Sequence, residues 1–260
     1  MPRFFIFGLG YTARRIAACL RADGWEVVST GSQGDLSFDD EGTVRAALAD
    51  ASHVLSSVPP GGEGADPVLE RYGEALAGQW LGYLSSTGVY GDAGGAWVDE
   101  SAPVGTGRRT ARAECDLAWL DRGARVFRLP GIYGPGRSAL DRVASGKAHR
   151  IDLPEQVFSR VHVDDIASGV MAALASDAPA GAYNLADNLP TSQNAVIEEA
   201  CRLMGVAPPP LQKMEEADLS PMARGFYAEN RRVANGKAKR VLGWQPTYAT
   251  YREGLSSLAG

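Results

Sequence analysis

Four consecutive apolar residues, Phe4 to Phe7, are followed at once by glycine, and this junction constrains the fold more than any other feature. An uninterrupted apolar run of this length predicts a strand buried on both faces, as in a parallel sheet. Apolar residues then recur at helical spacing from Ala13 to Leu20, with arginines on the other side, and Gly24 supplies a stop signal. The segment is therefore predicted to fold as strand, turn and amphipathic helix.

The turn between them has the pattern Gly-x-Gly-x-x-Ala, formed by Gly8, Gly10 and Ala13. Gly8 permits a tight turn, Gly10 lets backbone amides approach a pyrophosphate, and the small Ala13 lets the helix sit close to the strand. Because the helix N-terminus then points at the phosphates, the pattern predicts a dinucleotide site. Tyr11 and Thr12 lie in the same loop and are candidate contacts. The alternative is a glycine turn without a ligand.

The second predicted strand, 25–30, lacks the acidic residue that usually holds the ribose 2′-hydroxyl of NAD. No carboxylate occurs after it until Asp35, which leaves room for a 2′-phosphate that Arg14 or Arg15 would neutralise. This favours NADP over NAD as the cofactor; alternatively, both arginines belong to a solvated helix face. The candidate contacts at this edge are Thr30, Gly31 and Ser32.

Strand and helix patterns alternate from residue 4 to residue 129, which predicts a doubly wound parallel sheet of the Rossmann type in an α/β protein. The strand predicted at 53–58 ends at prolines and glycines, where such a sheet places a cofactor-flanking loop, so Val58, Pro59 and Pro60 are candidate contacts. The predicted domains are a nucleotide-binding domain at 1–130 and, mostly, a smaller α/β substrate lobe at 131–260.

Composition limits the classes of partner. The chain has 260 residues, a formal net charge of −5 and 45% hydrophobic residues, so it predicts neither a nucleic-acid partner nor an anionic membrane. No apolar run approaches the length of a membrane span, and no signal-like segment precedes the first strand, so we expect a cytoplasmic protein. The three cysteines and three histidines have no ligand spacing, which predicts buried thiols and no metal site. They are Cys19, Cys115, Cys201, His53, His149 and His162.

The segment Ser85-Ser86-Thr87-Gly88-Val89-Tyr90-Gly91 resembles the corresponding motif of extended short-chain dehydrogenases/reductases, the superfamily of NAD-dependent epimerases and dehydratases. Further landmarks follow in that family's order, so the resemblance spans nearly the whole chain. They are Asp99–Pro103, Arg128–Arg137, Arg160–Ile166, Tyr183–Leu185 and Leu242–Pro246.

The resemblance implies roles for individual residues. Ser86 would polarise the reacting carbonyl, and Arg137 and Arg160 would bring cations to the diphosphate of a nucleotide-linked substrate. Further cofactor contacts are implied at Asp35, Leu36, Ser85, Pro130 and Ile132. It also implies that segments near 160–187 rejoin the nucleotide-binding domain, and it allows a homodimer.

One departure from the family concerns catalysis. Its Tyr-x-x-x-Lys pair should lie some twenty residues after Tyr90, yet Gly91 to Ile132 contains neither tyrosine nor lysine. The two positions fall on Arg108 and Arg112, or on Ala111 and Cys115. The chain thus resembles atypical members that lack this dyad, and a guanidinium cannot replace a phenol whose pKa a lysine lowers. The remaining candidate phenols are Tyr90 and Tyr133; packing at a loop is the alternative for each.

These observations predict an NAD(P)-dependent oxidoreductase or epimerase/dehydratase-like enzyme that acts on a small substrate, anionic or nucleotide-sugar-like. The alternative is a binding protein that senses the cofactor and catalyses nothing. Elsewhere, Asp164 and Asp165 precede an apolar helical run, which predicts that one of them caps that helix.

Overall fold

The computed structural model describes residues 2–62 and 64–260, except for the side chains of residues 222 and 223. The strands are β1 Arg3–Phe7, β2 Glu26–Ser29, β3 His53–Ser56, β4 Trp80–Ser86, β5 Trp97–Val98, β6 Arg125–Leu129, β7 Gly131–Tyr133, β8 Arg150–Ile151, β9 Arg160–His162, β10 Gly181–Asn184, β11 Leu211–Gln212 and β12 Arg232–Val233. The helices are α1 Tyr11–Ala22, α2 Glu41–Ala49, α3 Pro67–Tyr72, α4 Thr110–Asp121, α5 Ala139–Ala144, α6 Val163–Ala175, α7 Gln193–Met204, α8 Pro221–Phe226, α9 Gly236–Leu242 and α10 Tyr251–Leu258. Short 3-10 helices cover Gly73–Ala75 and Thr87–Tyr90.

The main sheet has six parallel strands in the order β2-β1-β3-β4-β6-β10. Its strand order reverses at β1, because β2 lies on one side of that strand and β3 on the other. In open α/β sheets, ligands bind at the carboxyl edge beside such a reversal. Among the described residues, the sheet continues beyond β2 as a parallel bridge between Thr30 and Leu36.

Helices cover both faces of this sheet, and the alternation of side chains along β1 divides the two cores. Phe4 and Ile6 pack on the face covered by α1, α6 and α9. Phe5 and Phe7 pack on the face covered by α2, α3 and α4. Since both faces are buried, the strand is apolar throughout. The predicted α/β fold, a doubly wound parallel sheet of the Rossmann type, is confirmed.

The second half of the chain contributes to both parts of the molecule. Helices α5, α7 and α10 form a separate small core, and β8 of the pair β8–β11 lies against α7. The pair β7–β9 joins the two parts, because Ile132 and Val161 pack in the core of the main sheet while β9 also contacts α10. In contrast, α6 packs against α1, and β10 forms one edge of the six-stranded sheet. Helix α6 and strand β10 therefore pack with the six-stranded sheet.

The cap of α6 differs from the sequence-based prediction. The ring of His162 caps this helix, because its Nδ1 accepts the Asp164 amide at 3.2 Å. Asp164 instead forms a bidentate ion pair with Arg15 on α1. Asp165 accepts the amides of Thr247 and Tyr248, so it holds the C-terminal segment. The prediction that one of these aspartates is the cap was wrong, because both find partners distant in sequence.

The cysteines lie in α1, α4 and α7 as the helical patterns predicted, and all three are free thiols. Cys115 and Cys201 are buried as predicted, whereas Cys19 is only half-buried. Within residues 2–62 and 64–260, no helix is long and apolar enough to cross a membrane. In the same described residues, no group of three or more His, Cys, Asp and Glu side chains is arranged to hold a metal ion.

Candidate functional site

A cleft of about 920 Å³ opens at the carboxyl edge of the sheet, where α1, β4 and β6 end or begin against the second lobe. Its walls include Thr12 from α1, Ser86 from β4 and Leu129 from β6. Residues of the second lobe, among them Tyr133 and Val196, close the opposite side. The cleft thus lies beside the reversal in strand order.

Below one end of this cleft, the glycine loop packs backbone against backbone. Gly8 has φ +81°, and a Cβ there would lie 3.1 Å from Val58 Cγ2. Gly31 has φ +125°, and a Cβ there would lie 3.0 Å from the amide nitrogen of Leu9, whose N–H donates to Thr30 O at 2.8 Å. Larger residues at either position would be strained and would push the loop away from β2 and β3.

Gly10 differs from its neighbours because the space beside it is open. It is the N-cap of α1 in an extended conformation, with φ −84° and ψ −169°, and no side chain caps the helix. A Cβ at Gly10 would meet nothing within 4 Å. The first turn carries no acidic residue, so its free amides and the helix dipole face space suited to an anion. Ala13 is fully buried beneath it, as its small size requires.

Asp35, the acidic residue beside β2, is exposed, but one of its carboxylate oxygens already has hydrogen-bond partners. Asp35 accepts from both the amide and the hydroxyl of Ser29, each at 2.9 Å. Arg14 reaches over this edge and donates to Gln33 Oε1 at 2.5 Å, whereas Arg15 is occupied by Asp164. Of the two arginines considered from sequence, only Arg14 therefore lies beside the loop that follows β2.

The remaining candidate cofactor contacts surround the same edge. Thr30 is buried and its hydroxyl accepts from Gly8 N at 3.2 Å; Ser32 is exposed and Leu36 half-buried. After β3, Val58 and Pro60 are half-buried and Pro59 is exposed. Three more candidates line the cleft itself: Ser85, Pro130 and Ile132.

Ser86 ends β4 half-buried, with its hydroxyl at the cleft wall. Its Oγ accepts the Gly88 amide at 3.1 Å, and the hydroxyl proton is donated to no group among the described residues. Ser85 faces the other way: it donates to Asp116 Oδ2 at 2.6 Å in the interior. The period-2 alternation of a strand thus places one serine toward the cleft and one toward α4.

Tyr90 lies outside the cleft wall. It is 3% exposed, and its hydroxyl accepts from Arg128 Nη1 at 3.1 Å and donates to Asn184 Oδ1 at 2.7 Å. Burial raises the pKa of this phenol to about 12. Arg128 in turn pairs with Asp116 at 2.7 Å. Tyr90 is therefore part of a buried polar network that joins β4, β6, α4 and β10.

Tyr133 lines the cleft at the start of the second lobe, but its hydroxyl packs against Gly254 of α10 and has no hydrogen-bond partner among the described residues. Burial raises the pKa of Tyr133. The edge of its ring contacts His162, with ring centroids 5.1 Å apart. A phenol with these surroundings is a poor base and keeps its proton at neutral pH.

At the start of α4, three arginines line the cleft, namely Arg108, Arg109 and Arg112. Arg108 and Arg112 are one of the two pairs of positions on which the family's dyad could fall. Arg112 Nη1 donates to Tyr83 OH at 2.8 Å and lies 3.4 Å from Leu84 O. Arg109 passes beside Gly88, where a Cβ would lie 2.5 Å from its Cδ. No lysine is part of the cleft wall in the described residues.

Arg137 and Arg160 both line the cleft, but their environments differ. Arg137 is exposed and its guanidinium lies over the Tyr11 ring, 5.7 Å from the centroid, at the start of α1. Arg160 is 7% exposed and donates to Phe158 O, Thr191 O, Ser192 O and Gln193 Oε1. Burial lowers the pKa of Arg160 to about 10, which still leaves it protonated at neutral pH.

Sequence reasoning missed several residues that the second lobe contributes. His149 Nε2 and Tyr227 OH lie 3.2 Å apart in the cleft wall, and Arg142 and Arg231 add two further cations. Burial lowers the pKa of His149, so its imidazole is neutral near pH 7. No local pattern marks these residues, because folding brings His149 and Tyr227 together across 78 positions.

The charge of the cleft is opposite to that of the whole chain. Seven arginines line it, against the two carboxylates of Asp141 and Glu229 among the described residues, although the formal net charge of the protein is −5. Asp141 belongs to a capping box with Ser138, and Glu229 pairs with Arg231 at 2.9 Å. The wall therefore favours an anionic occupant.

Comparisons with known proteins agree with this fold. No family model matches the chain. A conserved Silicibacter pomeroyi protein of unknown function is 39% identical, with a TM-score of 0.88 over 99% of this chain and 98% of that one. Human epimerase family protein SDR39U1, solved with NADPH, has a TM-score of 0.78 at 16% identity over 99% of each chain. The dTDP-glucose 4,6-dehydratase of Bacillus anthracis, solved with NAD, has a TM-score of 0.77 at 14% identity over 100% of this chain and 96% of that one.

Two curated relatives add sequence similarity. A Streptomyces 3-diazoavenalumate denitrifying reductase is 33% identical over 61% of this chain, and the match covers 58% of that protein. Protein YeeZ of Escherichia coli is 26% identical over 90% of this chain and 94% of its own. The chain belongs to the same family as the conserved Silicibacter pomeroyi protein and has the Rossmann-type fold of the extended, NAD-dependent epimerase/dehydratase-like short-chain dehydrogenases/reductases.

Proposed function

We propose that the protein is an NADP(H)-dependent oxidoreductase that acts on a small anionic substrate in the central cleft. The observation that carries the proposal is the open N-terminus of α1 above the glycine loop, continuous with an arginine-rich cleft that contains Ser86. Bound there, a nicotinamide cofactor would supply or accept a hydride. The neighbours solved with NADPH and with NAD support a nicotinamide cofactor of either kind.

The cofactor would extend from the β2 edge to the end of β4. The amides of the first turn of α1 would hold the pyrophosphate, since Gly10 leaves that space free. The adenosine end would lie beside Thr30 and Leu36, and the reactive end beside Ser86, Pro130 and Ile132. Thr12 lines the wall between these two ends, and the hydroxyl of Ser85 points behind that wall to Asp116.

The preference for NADP rests on Arg14. Its guanidinium lies at the loop after β2, where Asp35 is turned back toward Ser29 and cannot also accept from a ribose hydroxyl with the same oxygen. Arg14→Gln should weaken NADPH binding about tenfold or more and leave NADH binding nearly unchanged. The matched control is Arg21→Gln in the last turn of the same helix. Calorimetric titration of both dinucleotides measures this, and equal losses for NADPH and NADH would contradict the assignment.

In catalysis, Ser86 would donate its free hydroxyl proton as a hydrogen bond to the substrate atom that gains negative charge. The guanidiniums at the start of α4 would stabilise that charge without transferring a proton. Tyr90 is committed to Arg128 and Asn184 and takes no part in this scheme. The supporting relative is a reductase, which fits a site that delivers hydride but contains no Tyr–Lys pair.

The test follows NADPH consumption with a panel of small carboxylates, carbonyl compounds and sugar nucleotides. We expect turnover with an anionic substrate, and we expect Ser86→Ala to lower kcat about a hundredfold while NADPH affinity stays at the wild-type value. Tyr133→Phe should have a smaller effect, because its hydroxyl faces Gly254. Wild-type turnover that Ser86→Ala retains would show that the reaction occurs elsewhere.

A second candidate function is a cofactor sensor without catalysis. It is favoured by Arg108, Arg109 and Arg112 at the start of α4, because these guanidiniums line the cleft and cannot transfer a proton as the family's dyad does. This candidate predicts NADPH binding in the wild type and in Ser86→Ala, with no turnover by either protein on any member of the panel.

A further inference from the structure

We propose that Arg109 and Arg112 hold the carboxylate of the substrate directly beside Ser86, and that the substrate is a small acid with a flat apolar body, of the aromatic carboxylate class. The inference rests on the proposed function and identifies the substrate class for that same cleft. It sets this class against a nucleotide sugar, whose diphosphate would bind at Arg137 and Arg160.

Arg109 and Arg112 lie close to Ser86. A Cβ placed on Gly88 would lie 2.5 Å from Arg109 Cδ and 3.3 Å from Ser86 Oγ, so one small residue separates the two side chains. Arg112 anchors one end of its guanidinium to Tyr83 OH, and lies 3.4 Å from Leu84 O on the strand that carries Ser86. A group held by both guanidiniums would therefore lie next to the reacting position.

The arginines at this end of the cleft differ in whether a carboxylate pairs with them. Arg108 and Arg231 share the carboxylate of Glu229, at 3.7 Å and 2.9 Å. Within the described residues, neither Arg109 nor Arg112 contacts a carboxylate. Burial, followed by the charges of Arg108 and Arg112, lowers the pKa of Arg109, and the charge of Glu229 acts in the opposite direction. Because Glu229 is already paired with Arg108 and Arg231, a bound carboxylate would add compensating charge at Arg109 through bidentate hydrogen bonds.

Aromatic side chains form an apolar part of the cleft wall beside these arginines. Phe226 is 47% exposed and its ring lies against Arg108 and Arg109, with guanidinium carbons 5.3 Å and 5.8 Å from the centroid. Phe158 and Tyr227 meet edge to face, 5.5 Å apart, in the same cleft. A flat apolar body attached to the carboxylate would cover these rings, whereas a hydroxyl-rich sugar would leave its polar groups against them.

Arg160 and Arg137, the cations expected at the diphosphate of a nucleotide sugar, are less suited to hold a substrate beside Ser86. Arg160 already donates to three carbonyl oxygens and one amide oxygen, so little of its fork is free for a diphosphate. Arg137 lies over Tyr11, the first residue of α1, which places it by the cofactor phosphates rather than by Ser86. The Arg109 guanidinium makes no hydrogen bond to a described residue, and Arg112 uses only its Nη1, so both keep donors free for a substrate beside Ser86.

The experiment is calorimetric titration of cinnamate, cinnamamide and UDP-glucose into protein saturated with NADP⁺, which cannot donate a hydride. We expect cinnamate to bind, and cinnamamide, which has the same shape without the charge, to bind at least tenfold more weakly. Arg109→Gln and Arg112→Gln should each weaken cinnamate at least tenfold. Arg142→Gln is the control for the general electrostatic field, because Arg142 lines the same cleft. It should weaken cinnamate binding threefold or less. Arg109→Lys keeps the charge but not the planar guanidinium, so its affinity for cinnamate should lie between those of the wild type and Arg109→Gln.

NADP⁺ binding is measured first for every variant, together with its melting temperature. Absence of NADP⁺ binding in the wild type would contradict the proposed function itself. With NADP⁺ bound, three results would overturn only the present inference: no cinnamate binding, equal binding by wild type and Arg109→Gln, or binding of UDP-glucose that is lost in Arg137→Gln. If Arg109→Gln unfolds, the comparison of wild type with Arg109→Lys and Arg112→Gln decides the outcome.

Discussion

At the scale of single residues, the Tyr90 hydroxyl lies between two buried partners, Arg128 Nη1 and Asn184 Oδ1. Tyr90→Phe removes both hydrogen bonds and leaves polar groups of Arg128 and Asn184 unsatisfied. We expect the free energy of unfolding to fall by about 1–3 kcal/mol, with NADPH affinity unchanged. Urea denaturation measures the first quantity and calorimetry the second.

The matched control for this change is Tyr248→Phe, because the hydroxyl of Tyr248 makes no hydrogen bond within the described residues. It should leave the free energy of unfolding near the wild-type value. Wild-type stability of Tyr90→Phe combined with lost turnover would instead place the Tyr90 hydroxyl in catalysis.

Residues fixed by local sequence could be predicted, and residues fixed by long-range packing could not. Gly8 and Gly10 are marked by the strand before them and the helix after them. The burial of Tyr90 depends on Asn184, which is 94 positions away, and no pattern near Tyr90 indicates it. The same holds for the contact of Tyr133 with Gly254.

At the scale of elements, α4 is fixed to the sheet by one buried carboxylate. Asp116 accepts from Ser85 on β4 and pairs with Arg128 on β6. Asp116→Ala should lower the free energy of unfolding by about 3–5 kcal/mol, because it leaves the buried Arg128 guanidinium without its counter-ion. Chemical denaturation provides the measurement.

Asp121→Ala, at the exposed end of the same helix, is the control and should change stability by no more than about 0.5 kcal/mol. A small loss in Asp116→Ala, comparable to that of the control, would mean that Arg128 finds another partner and that the pair does not fix α4.

Elements with a strong apolar period were predictable from sequence, whereas their ends and partners were less so. The strand predicted at 53–58 ends at Ser56, where Ser57 N still bonds to Phe7 O but the ladder stops. The helical segment at 67–75 is not one continuous helix, because α3 is followed by a 3-10 turn at Gly73–Ala75. The cap of α6 escaped prediction because a histidine ring occupies the position that an aspartate usually takes.

At the scale of the whole molecule, stability should depend on pH through the buried Asp187. Burial raises its pKa to about 7, and its Oδ2 has no hydrogen-bond partner among the described residues. The folded protein therefore binds a proton that the unfolded chain releases near pH 4, so the free energy of unfolding falls as pH rises from about 4 to about 7. Asp165, with a pKa raised to about 6 by burial, contributes a slope of the same sign.

Asp187→Asn should flatten this slope, because the amide keeps the bond from Leu189 N and carries no charge. We expect it to raise the free energy of unfolding above pH 7 by about 1–3 kcal/mol and to have little effect near pH 4. Denaturation curves across this pH range measure both effects. Equal slopes in the variant and the wild type would show that Asp187 is ionised throughout.

The central claim is that the sheet edge above the glycine loop is a dinucleotide site, and Gly10→Asp tests it most directly. An aspartate is a favourable N-cap, and the structure has open space for it, so the variant should fold with a melting temperature equal to or above the wild type. Its carboxylate would occupy and repel the pyrophosphate position. Calorimetric titration should find that NADPH binds the wild type and binds Gly10→Asp at least about a hundredfold more weakly. No NADPH binding by the wild type, or equal affinity in the folded variant, would contradict the account.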